Sequence, residues 1–216
     1  MSFEGYLFDL DGTLLDTLPD LHNVVNEALS RRGFPPRTLD EVHSFIGNGA
    51  LALVWSCVPE GTPQEEVDRV YHLFCSLYEE FGMDKTVPFA GILEALASLS
   101  AEGKKVGVVS NKFDGGVKAV QARYLPGLLD AALGESESIP RKPDPRGLLE
   151  CARQMGVAPE KCVYFGDSAS DMMAAHNAGM YAVGVTWGYP SLDSLKSGEP
   201  DCLIDEPGQI LEVSSK

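Results

Sequence analysis

The sequence lacks the features that mark several classes of protein. Lys and Arg number only 17 against 32 Asp and Glu, and the resulting net charge of −15 argues against nucleic acid as a partner. The five cysteines never form Cys-x-x-Cys and the four histidines show no metal-ligand spacing, so we expect neither a disulfide framework nor a zinc site. No apolar run approaches the ~20 residues that span a bilayer, and the first residues lack the pattern of a signal peptide. We therefore expect a cytoplasmic protein without membrane association.

Short apolar segments alternate with helical patterns over most of the chain. Strands are predicted at 3–9, 104–111, 162–167 and 181–186, with weaker ones near 131–134 and 202–204. Helices are predicted at 91–102, 114–124, 145–156 and 168–178. Strands that alternate with helices of this length favour βαβ units, so we predict an α/β fold with a Rossmann-like parallel sheet.

Residues 16–87 contain no convincing strand. They show helical stretches near 18–32, 49–57 and 64–82, and they interrupt the first strand-to-helix connection at a length far beyond that of an ordinary loop. We therefore predict an α/β core domain made of residues 1–15 and 88–216, and a helical domain, residues 16–87, inserted after the first strand. Linkers are expected at 14–17 and 81–90, and the second of them includes Gly82.

The most informative motif is Asp9-Leu10-Asp11-Gly12-Thr13, which follows an apolar run. Two carboxylates at the end of a buried strand lose water and repel each other unless a cation lies nearby, and a divalent metal is the simplest compensation. Gly12 allows a tight turn whose backbone N–H groups can approach a ligand. Together these features indicate nucleophilic attack on phosphorus, although an Asp-Gly pair alone can simply end a strand with a turn.

Three further polar motifs lie where loops begin. They are Ser110-Asn111-Lys112, Arg141-Lys142-Pro143-Asp144-Pro145 and Asp167-Ser168-Ala169-Ser170-Asp171. In an open α/β sheet, ligands bind beyond the carboxyl ends of the strands. We therefore expect all four motifs to converge on one site.

With these four motifs, the chain resembles the phosphatases of the haloacid dehalogenase superfamily over essentially its whole length. Within that superfamily it is most similar to the phosphoglycolate phosphatase group, through residues 45–50, 89–92, 110–112, 142–145 and 186–189. The resemblance implies the fold of that superfamily with an inserted helical cap, Mg²⁺ as cofactor and a small phosphate ester as substrate. It also implies that Asp9 is the nucleophile, which forms an aspartyl-phosphate, and that Asp11 protonates the leaving oxygen and then activates water.

The same resemblance assigns the remaining site residues. Mg²⁺ would be held by oxygens of the Asp9 side chain, the Asp11 main-chain carbonyl and Asp167. Asp171 would be a further ligand or a neighbour of the ligands. The phosphoryl oxygens would be bound by the side chains of Ser110 and Lys142 and by the backbone amides of Asp11, Gly12 and Asn111. Asp171 could otherwise be an ordinary acid in the first turn of a helix.

Some residues near the motifs are expected to have other roles. Thr13 would order the loop that carries the two aspartates, and Lys112 is expected to point to solvent rather than to act in catalysis. The insertion contains Gly47-Asn48-Gly49. This segment is either a turn that starts a helix or a loop that reaches the site and reads the substrate, and both interpretations stay open.

Related activities differ at residues that the sequence contains. A haloacid dehalogenase lacks the second acid of the Asp pair, and Asp11 is present here, so that activity is disfavoured. A phosphonoacetaldehyde hydrolase needs a lysine in its cap, and the only lysine of 16–87, Lys85, lies at a linker, so that activity is disfavoured as well. β-Phosphoglucomutase, pyrophosphatase and nucleotidase activities stay open, as does a catalytically silent binding protein on the same fold. A monomer and a homodimer are both compatible with the sequence, and 2-phosphoglycolate is the first substrate to test.

Overall fold

The computed structural model describes residues 3–81 and 83–213, so that Gly82 lies outside the described residues. The strands are β1 (Gly5–Phe8), β2 (Leu15–Asp16), β3 (Val87–Pro88), β4 (Lys105–Phe113), β5 (Ala131–Glu135), β6 (Cys162–Gly166), β7 (Tyr181–Val185) and β8 (Cys202–Ile204). The helices are α1 (Leu18–Arg31), α2 (Leu39–Phe45), α3 (Ala50–Cys57), α4 (Gln64–Phe81), α5 (Ile92–Ala101), α6 (Asp114–Tyr124), α7 (Arg146–Met155), α8 (Ala169–Asn177) and α9 (Leu192–Lys196). None of the helices in these two ranges combines the length and apolar character needed to cross a membrane.

A parallel sheet forms the centre of the molecule. Among the described residues it has six strands in the order β5-β4-β1-β6-β7-β8, and every neighbouring pair is parallel. The prediction of an α/β fold with a Rossmann-like sheet is confirmed, including both weaker strands. Strand β1 lies between β4 and β6, with Phe8 opposite Val108 and Phe165. The loops that follow these three strands therefore leave the sheet side by side.

Both faces of the sheet are buried. Leu7 belongs to one apolar layer together with residues of α7 and α8, whereas Tyr6 and Phe8 belong to another layer together with residues of α5 and α6. Successive side chains of a strand point to opposite faces, so each strand contributes to both layers. This burial explains why the strands read as continuous apolar runs rather than as alternating ones.

Helices α1 to α4 occupy residues 18–81, and three of them match the predicted helical stretches. Buried residues recur at helical spacing in α1 and α4, for example Val70, Phe74 and Leu77, and these two helices contact each other. Helix α2 was not predicted. It begins with a capping box, in which Glu41 N donates to Thr38 Oγ1 at 3.3 Å and Thr38 N donates to the Glu41 carboxylate at 2.7 Å.

The two linkers between this helical segment and the sheet are paired with each other. Strands β2 and β3 form a two-residue antiparallel ladder, so the prediction that 16–87 contains no strand is wrong at both of its ends. A ladder this short has no period that a sequence pattern could reveal. Asp20, buried in the first turn of α1, adds to the pairing because its carboxylate accepts hydrogen bonds from Lys85 N at 2.9 Å and Thr86 N at 2.6 Å.

Candidate active site

Three carboxylates meet at the carboxyl ends of the central strands. Asp9 directly follows β1, Asp167 directly follows the adjacent strand β6, and Asp171 lies in the first turn of α8. All three are buried, and each offers one oxygen to a group in which the oxygens lie within 4.8 Å of one another. The sequence motifs of the first and last site segments therefore converge.

The three carboxylates carry more negative charge than their protein partners compensate. Burial raises the pKa of Asp9 to about 6, although Lys142 acts to lower it, and Asp171 adds to the rise. Burial, followed by the charges of Asp171 and Asp9, raises the pKa of Asp167 well above its ordinary value. Buried oxygen ligands of this kind are what a hard divalent cation prefers, so the residues present fit a metal such as Mg²⁺.

Lys142 is the cation that lies among these acids. Its Nζ is 2.7 Å from Asp9 Oδ1 and 2.7 Å from Asp171 Oδ1. It also donates to Val109 O at 3.2 Å and Tyr164 Oη at 2.9 Å. Burial lowers the pKa of Lys142, but Asp171 and Asp9 outweigh that effect and hold the pKa above its ordinary value. The 2.7 Å contact with Lys142 Nζ is an ion pair, and no hydrogen bond of Asp9 Oδ1 is found among the described residues, so this oxygen has a further lone pair for a metal or for phosphorus.

Asp171 is saturated by protein donors. Its Oδ1 accepts from Lys142 Nζ and Tyr164 Oη, at 2.7 and 3.1 Å. Its Oδ2 accepts from Ser168 N at 3.0 Å and Ser168 Oγ at 2.5 Å, which closes a capping box at the start of α8. Asp171 thus caps its helix, as one interpretation of the sequence has it, and also holds Lys142. Four donors favour a supporting role over direct metal ligation.

The loop after β1 turns tightly over Asp167. Gly12 has a φ of +84°, and a Cβ there would lie 2.2 Å from Asp167 Oδ2, so only glycine allows this approach. The Gly12 amide donates to Leu15 O at 2.9 Å, which corrects the expectation that it binds the phosphoryl group. Thr13 is fully buried, and its hydroxyl has no hydrogen bond within the described residues. Its carbonyl, in contrast, accepts from Trp187 Nε1 at 3.0 Å.

Asn111 joins three parts of the site. Its Nδ2 donates to Gly47 O at 3.0 Å, and its Oδ1 accepts from Lys142 N at 2.8 Å. Arg141 strengthens the same junction through a 2.7 Å hydrogen bond to Asn48 O. The Gly47-Asn48-Gly49 segment therefore precedes α3 and also reaches the site, whereas its reading of the substrate stays a prediction. It presents two carbonyl oxygens to the core at this contact.

Comparison with known proteins identifies the family. Residues 6–185 match the family model described as haloacid dehalogenase-like hydrolase. The chain belongs to the haloacid dehalogenase-like hydrolase family. It is 34% identical over 215 residues to a phosphoglycolate phosphatase from Pasteurella multocida, covering 95% of this chain and 96% of that one. It is 33% identical over 211 residues to a phosphoglycolate phosphatase from Pseudomonas putida, covering 95% and 77%.

Solved structures give the same result for this hydrolase. A predicted phosphoglycolate phosphatase from Haemophilus somnus superposes with a TM-score of 0.88 at 30% identity, over 98% of each chain. The expected superfamily and its fold are therefore confirmed. The curated relatives are named as hydrolases, so the chain is an enzyme of that class.

Lys112 is the clearest correction within the site. Its side chain is only 3% exposed, and its Nζ lies 3.1 Å from Asp11 Oδ2 and 4.2 Å from the centre of the Tyr78 ring. The expectation that it points to solvent is wrong. The sequence alone does not show whether a side chain near the end of a buried strand faces the pocket or water.

Tyr189 was not singled out from the sequence, yet it connects Asp167 of the acidic site with the helical segment. Its backbone N donates to Asp167 Oδ2 at 2.9 Å. Its hydroxyl accepts from Thr17 N at 2.6 Å and donates to Asp16 Oδ1 at 3.0 Å, which ties it to the first linker. A signal was available, because residues 186–189 belong to the similarity with the phosphoglycolate phosphatase group.

The site residues line one pocket between the sheet and the helical segment. Its polar lining includes Asp9, Asp11, Asp167, Ser110 and two lysines, and its apolar lining consists of the following side chains: Leu21, Ile46, Ala50, Leu53, Phe74 and Phe113. The cavity has a volume of about 50 Å³, on the order of a few water-sized positions. Asp9, Asp11, Asp167 and two lysines thus share one small pocket.

Proposed function

We propose that this hydrolase is a Mg²⁺-dependent phosphomonoesterase that passes a phosphoryl group from a small ester to Asp9 and then to water. The observation that carries the proposal is the meeting of Asp9, Lys142 and Asp11 in one small pocket. A buried carboxylate held by an ion pair is positioned for nucleophilic attack, and the buried cation beside it is suited to a phosphoryl oxygen.

The reaction has two halves. In the first, an Asp9 oxygen bonds to phosphorus, the bond from phosphorus to the ester oxygen breaks, and Asp11 gives a proton to that oxygen. In the second, Asp11 takes a proton from water, the water oxygen bonds to phosphorus, and the bond between phosphorus and Asp9 breaks. The products are an alcohol and inorganic phosphate, and both carboxyl groups return to their starting states.

The remaining residues would stabilise and position the phosphoryl group. Lys142 and Ser110 would bind its oxygens, together with the backbone amides of Asp11 and Asn111. Asp9, Asp167 and the Asp11 carbonyl would hold Mg²⁺, which supplies compensation of the phosphoryl charge when bound. Asp171 would act through Lys142, because its own oxygens already accept four hydrogen bonds.

Residues 16–87 would serve as a cap that selects the substrate. The core motifs would contact only the phosphoryl group and the metal. Discrimination between esters must therefore come from the residues of the helical segment that line the pocket. The small cavity suits a small ester. The phosphoglycolate phosphatases among its relatives support 2-phosphoglycolate as that ester.

The test is phosphate release by the purified protein from a panel of phosphometabolites, with and without Mg²⁺. The wild type is expected to release phosphate fastest from 2-phosphoglycolate, and EDTA is expected to abolish release until Mg²⁺ is added back. Asp9→Asn keeps the size of the side chain but removes its charge, so its activity should fall to background. Near-normal turnover by folded Asp9→Asn would exclude the aspartyl-phosphate route, and full activity after exhaustive chelation would exclude the metal requirement.

A further inference from the structure

Lys112 is a buried cation in the pocket that the proposed reaction does not use. Among the described residues that line the pocket, only Lys112 and Lys142 are cationic. Lys142 is committed to Asp9 and Asp171, where the phosphoryl group would bind. Lys112 faces Asp11 instead, with the ring of Tyr78 on α4 at its side.

We propose that Lys112 binds a second anionic group of the substrate, a carboxylate, and so makes this enzyme selective for small phosphorylated acids. This inference rests on the phosphomonoesterase proposed above and adds to it a residue that determines specificity. Asp11 and Lys112 are in contact, at 3.1 Å, and Asp11 is the residue that would protonate the ester oxygen. The ester oxygen therefore lies beside Asp11, and a group a few bonds beyond it comes within reach of Lys112 Nζ.

Among the described residues that line the rest of the pocket, none besides Lys142 carries a positive charge. Apolar side chains of the helical segment and Phe113 make up much of the lining. The carbonyl oxygens of Gly47 and Asn48 already accept hydrogen bonds from Asn111 Nδ2 and Arg141, and this loop has no cationic side chain of its own. Arg141 is outside the lining and is held by Glu135 at 2.8 Å. Burying a carboxylate without a cation is costly, so Lys112 is the group that can compensate it.

Two uses of Lys112 predict different kinetics. If it serves only as a counter-ion of Asp11, its removal affects every alkyl phosphate to the same degree. If it binds a substrate carboxylate, its removal affects 2-phosphoglycolate far more than 2-hydroxyethyl phosphate, in which a neutral CH₂OH group replaces the carboxylate. The ratio of the two kcat/KM values separates these uses, because any common effect through Asp11 cancels.

The experiment measures this ratio for the wild type, Lys112→Met and Lys112→Gln. The wild type should prefer 2-phosphoglycolate, and both variants should lose roughly 10- to 100-fold of that preference, as expected for one charge-assisted contact. Lys118→Met is the matched control, since it removes a half-exposed lysine of α6 that lies outside the pocket. It should leave the ratio unchanged. Folding of each variant is verified by a thermal melt, and either Lys112 variant suffices if the other does not fold.

Calorimetry on Asp9→Asn supplies a readout that does not need turnover. Binding of 2-phosphoglycolate should be tighter than binding of 2-hydroxyethyl phosphate, and adding Lys112→Met should remove the difference. Equal losses for both ligands, or an unchanged ratio, would overturn the role of Lys112 while leaving the phosphomonoesterase intact. If the wild type hydrolysed no phosphate ester, the proposed function would fail, and the calorimetric comparison would still decide whether Lys112 reads a carboxylate.

Discussion

Asp11 acts as the acid and then as the base in the proposed reaction. Comparing kcat/KM for two esters with different leaving groups separates the loss of its proton from the loss of its charge. Asp11→Asn cannot donate a proton to the ester oxygen. Its kcat/KM should fall by about 10²- to 10⁴-fold for an alkyl phosphate, the usual contribution of a general acid. The fall should be smaller for p-nitrophenyl phosphate, whose leaving group needs no proton. The measurement is kcat/KM for ethyl phosphate and p-nitrophenyl phosphate on the same preparations.

Lys112→Met is the matched control for this prediction. It breaks the same ion pair of Lys112 with Asp11 but leaves the carboxyl group of Asp11 in place. Neither of the two esters carries a carboxylate, and Asp11 can still donate a proton, so the losses for the two esters should differ much less than they do in Asp11→Asn. Equal losses for the two esters in Asp11→Asn would argue that Asp11 does not protonate the leaving group.

The residue types of the site could be predicted, but their partners could not. The spacing of Asp9, Asp11 and Asp167 relative to buried strands indicates a converging acidic site, and the structure brings them together. The direction of Lys112 depends on a long flexible side chain and on Tyr78, which lies 34 positions away in another element. The hydrogen-bond partner of the Gly12 amide likewise depends on the geometry of the loop, which brings Leu15 O within 2.9 Å of it.

The loop between α2 and α3 contacts the core through Asn111 and Arg141, and its last glycine leaves very little room for a side chain. Gly49 has a φ of +82°, and a Cβ there would lie 3.0 Å from Asn111 O, 3.1 Å from Arg141 Cδ and 3.2 Å from Glu135 Oε2. In Gly49→Val this loop must therefore move away from the core. We expect KM for 2-phosphoglycolate to rise by about tenfold or more, because the loss of a few weak contacts has that size. Turnover of p-nitrophenyl phosphate should change much less.

Gly61→Val provides the control for backbone strain. Gly61 also has a positive φ, +83°, but no atom lies within 4 Å of the position of its Cβ. Both variants therefore place valine in an unfavourable conformation, and only Gly49→Val also clashes with the core. A thermal melt must show that both are folded. If Gly49→Val lost both activities in parallel, or kept both, the loop would not be a specificity element.

Elements with a clear period were predicted well, and short elements were not. Helix α4 buries Val67, Val70, Phe74 and Leu77 on one side, which gives a helical repeat in the sequence. Helix α2 has only one buried residue, Val42, so it shows no repeat. Its Thr38 and Glu41 do form a capping-box pattern, which was the available signal. The ladder of β2 and β3 exists because two distant linkers meet, and no local pattern encodes that.

The linkers, Tyr189 and the acidic site form one connected structure. Tyr189 binds the first linker through its hydroxyl and Asp167 through its backbone N–H. Asp20 binds the second linker to the start of α1. Movement of the helical segment would therefore pull on contacts that reach the proposed metal ligands. Binding of a metal and the stability of the whole molecule should be linked for this reason.

The acidic site makes the metal-free protein sensitive to pH. In the folded state the pKa of Asp9 is raised from 3.8 to about 6, and the pKa of Asp167 is raised as well. Folded carboxyls with raised pKa values bind protons more tightly than unfolded ones. The contribution of Asp9 is therefore fully present below about pH 4 and is lost as the pH rises through about 6, and that of Asp167 changes in the same direction. Over the same interval the ionised carboxylates become available to a metal.

Addition of Mg²⁺ should therefore stabilise the protein more at neutral than at acidic pH. At about 100 times Kd, a ligand adds about 2.7 kcal/mol, or roughly 5–10 °C in Tm for a chain of this length. We expect a rise of that size at about pH 7.5 and a clearly smaller one at about pH 5, because protons compete for the same oxygens.

Asp167→Asn should melt higher than the wild type in EDTA at neutral pH, since it removes one buried repelling charge, and it should lose the response to Mg²⁺. Glu60→Gln, which removes an exposed acid between α3 and α4, should behave like the wild type in both respects. An equal response to Mg²⁺ in wild type and Asp167→Asn would mean that the ion binds outside the acidic site.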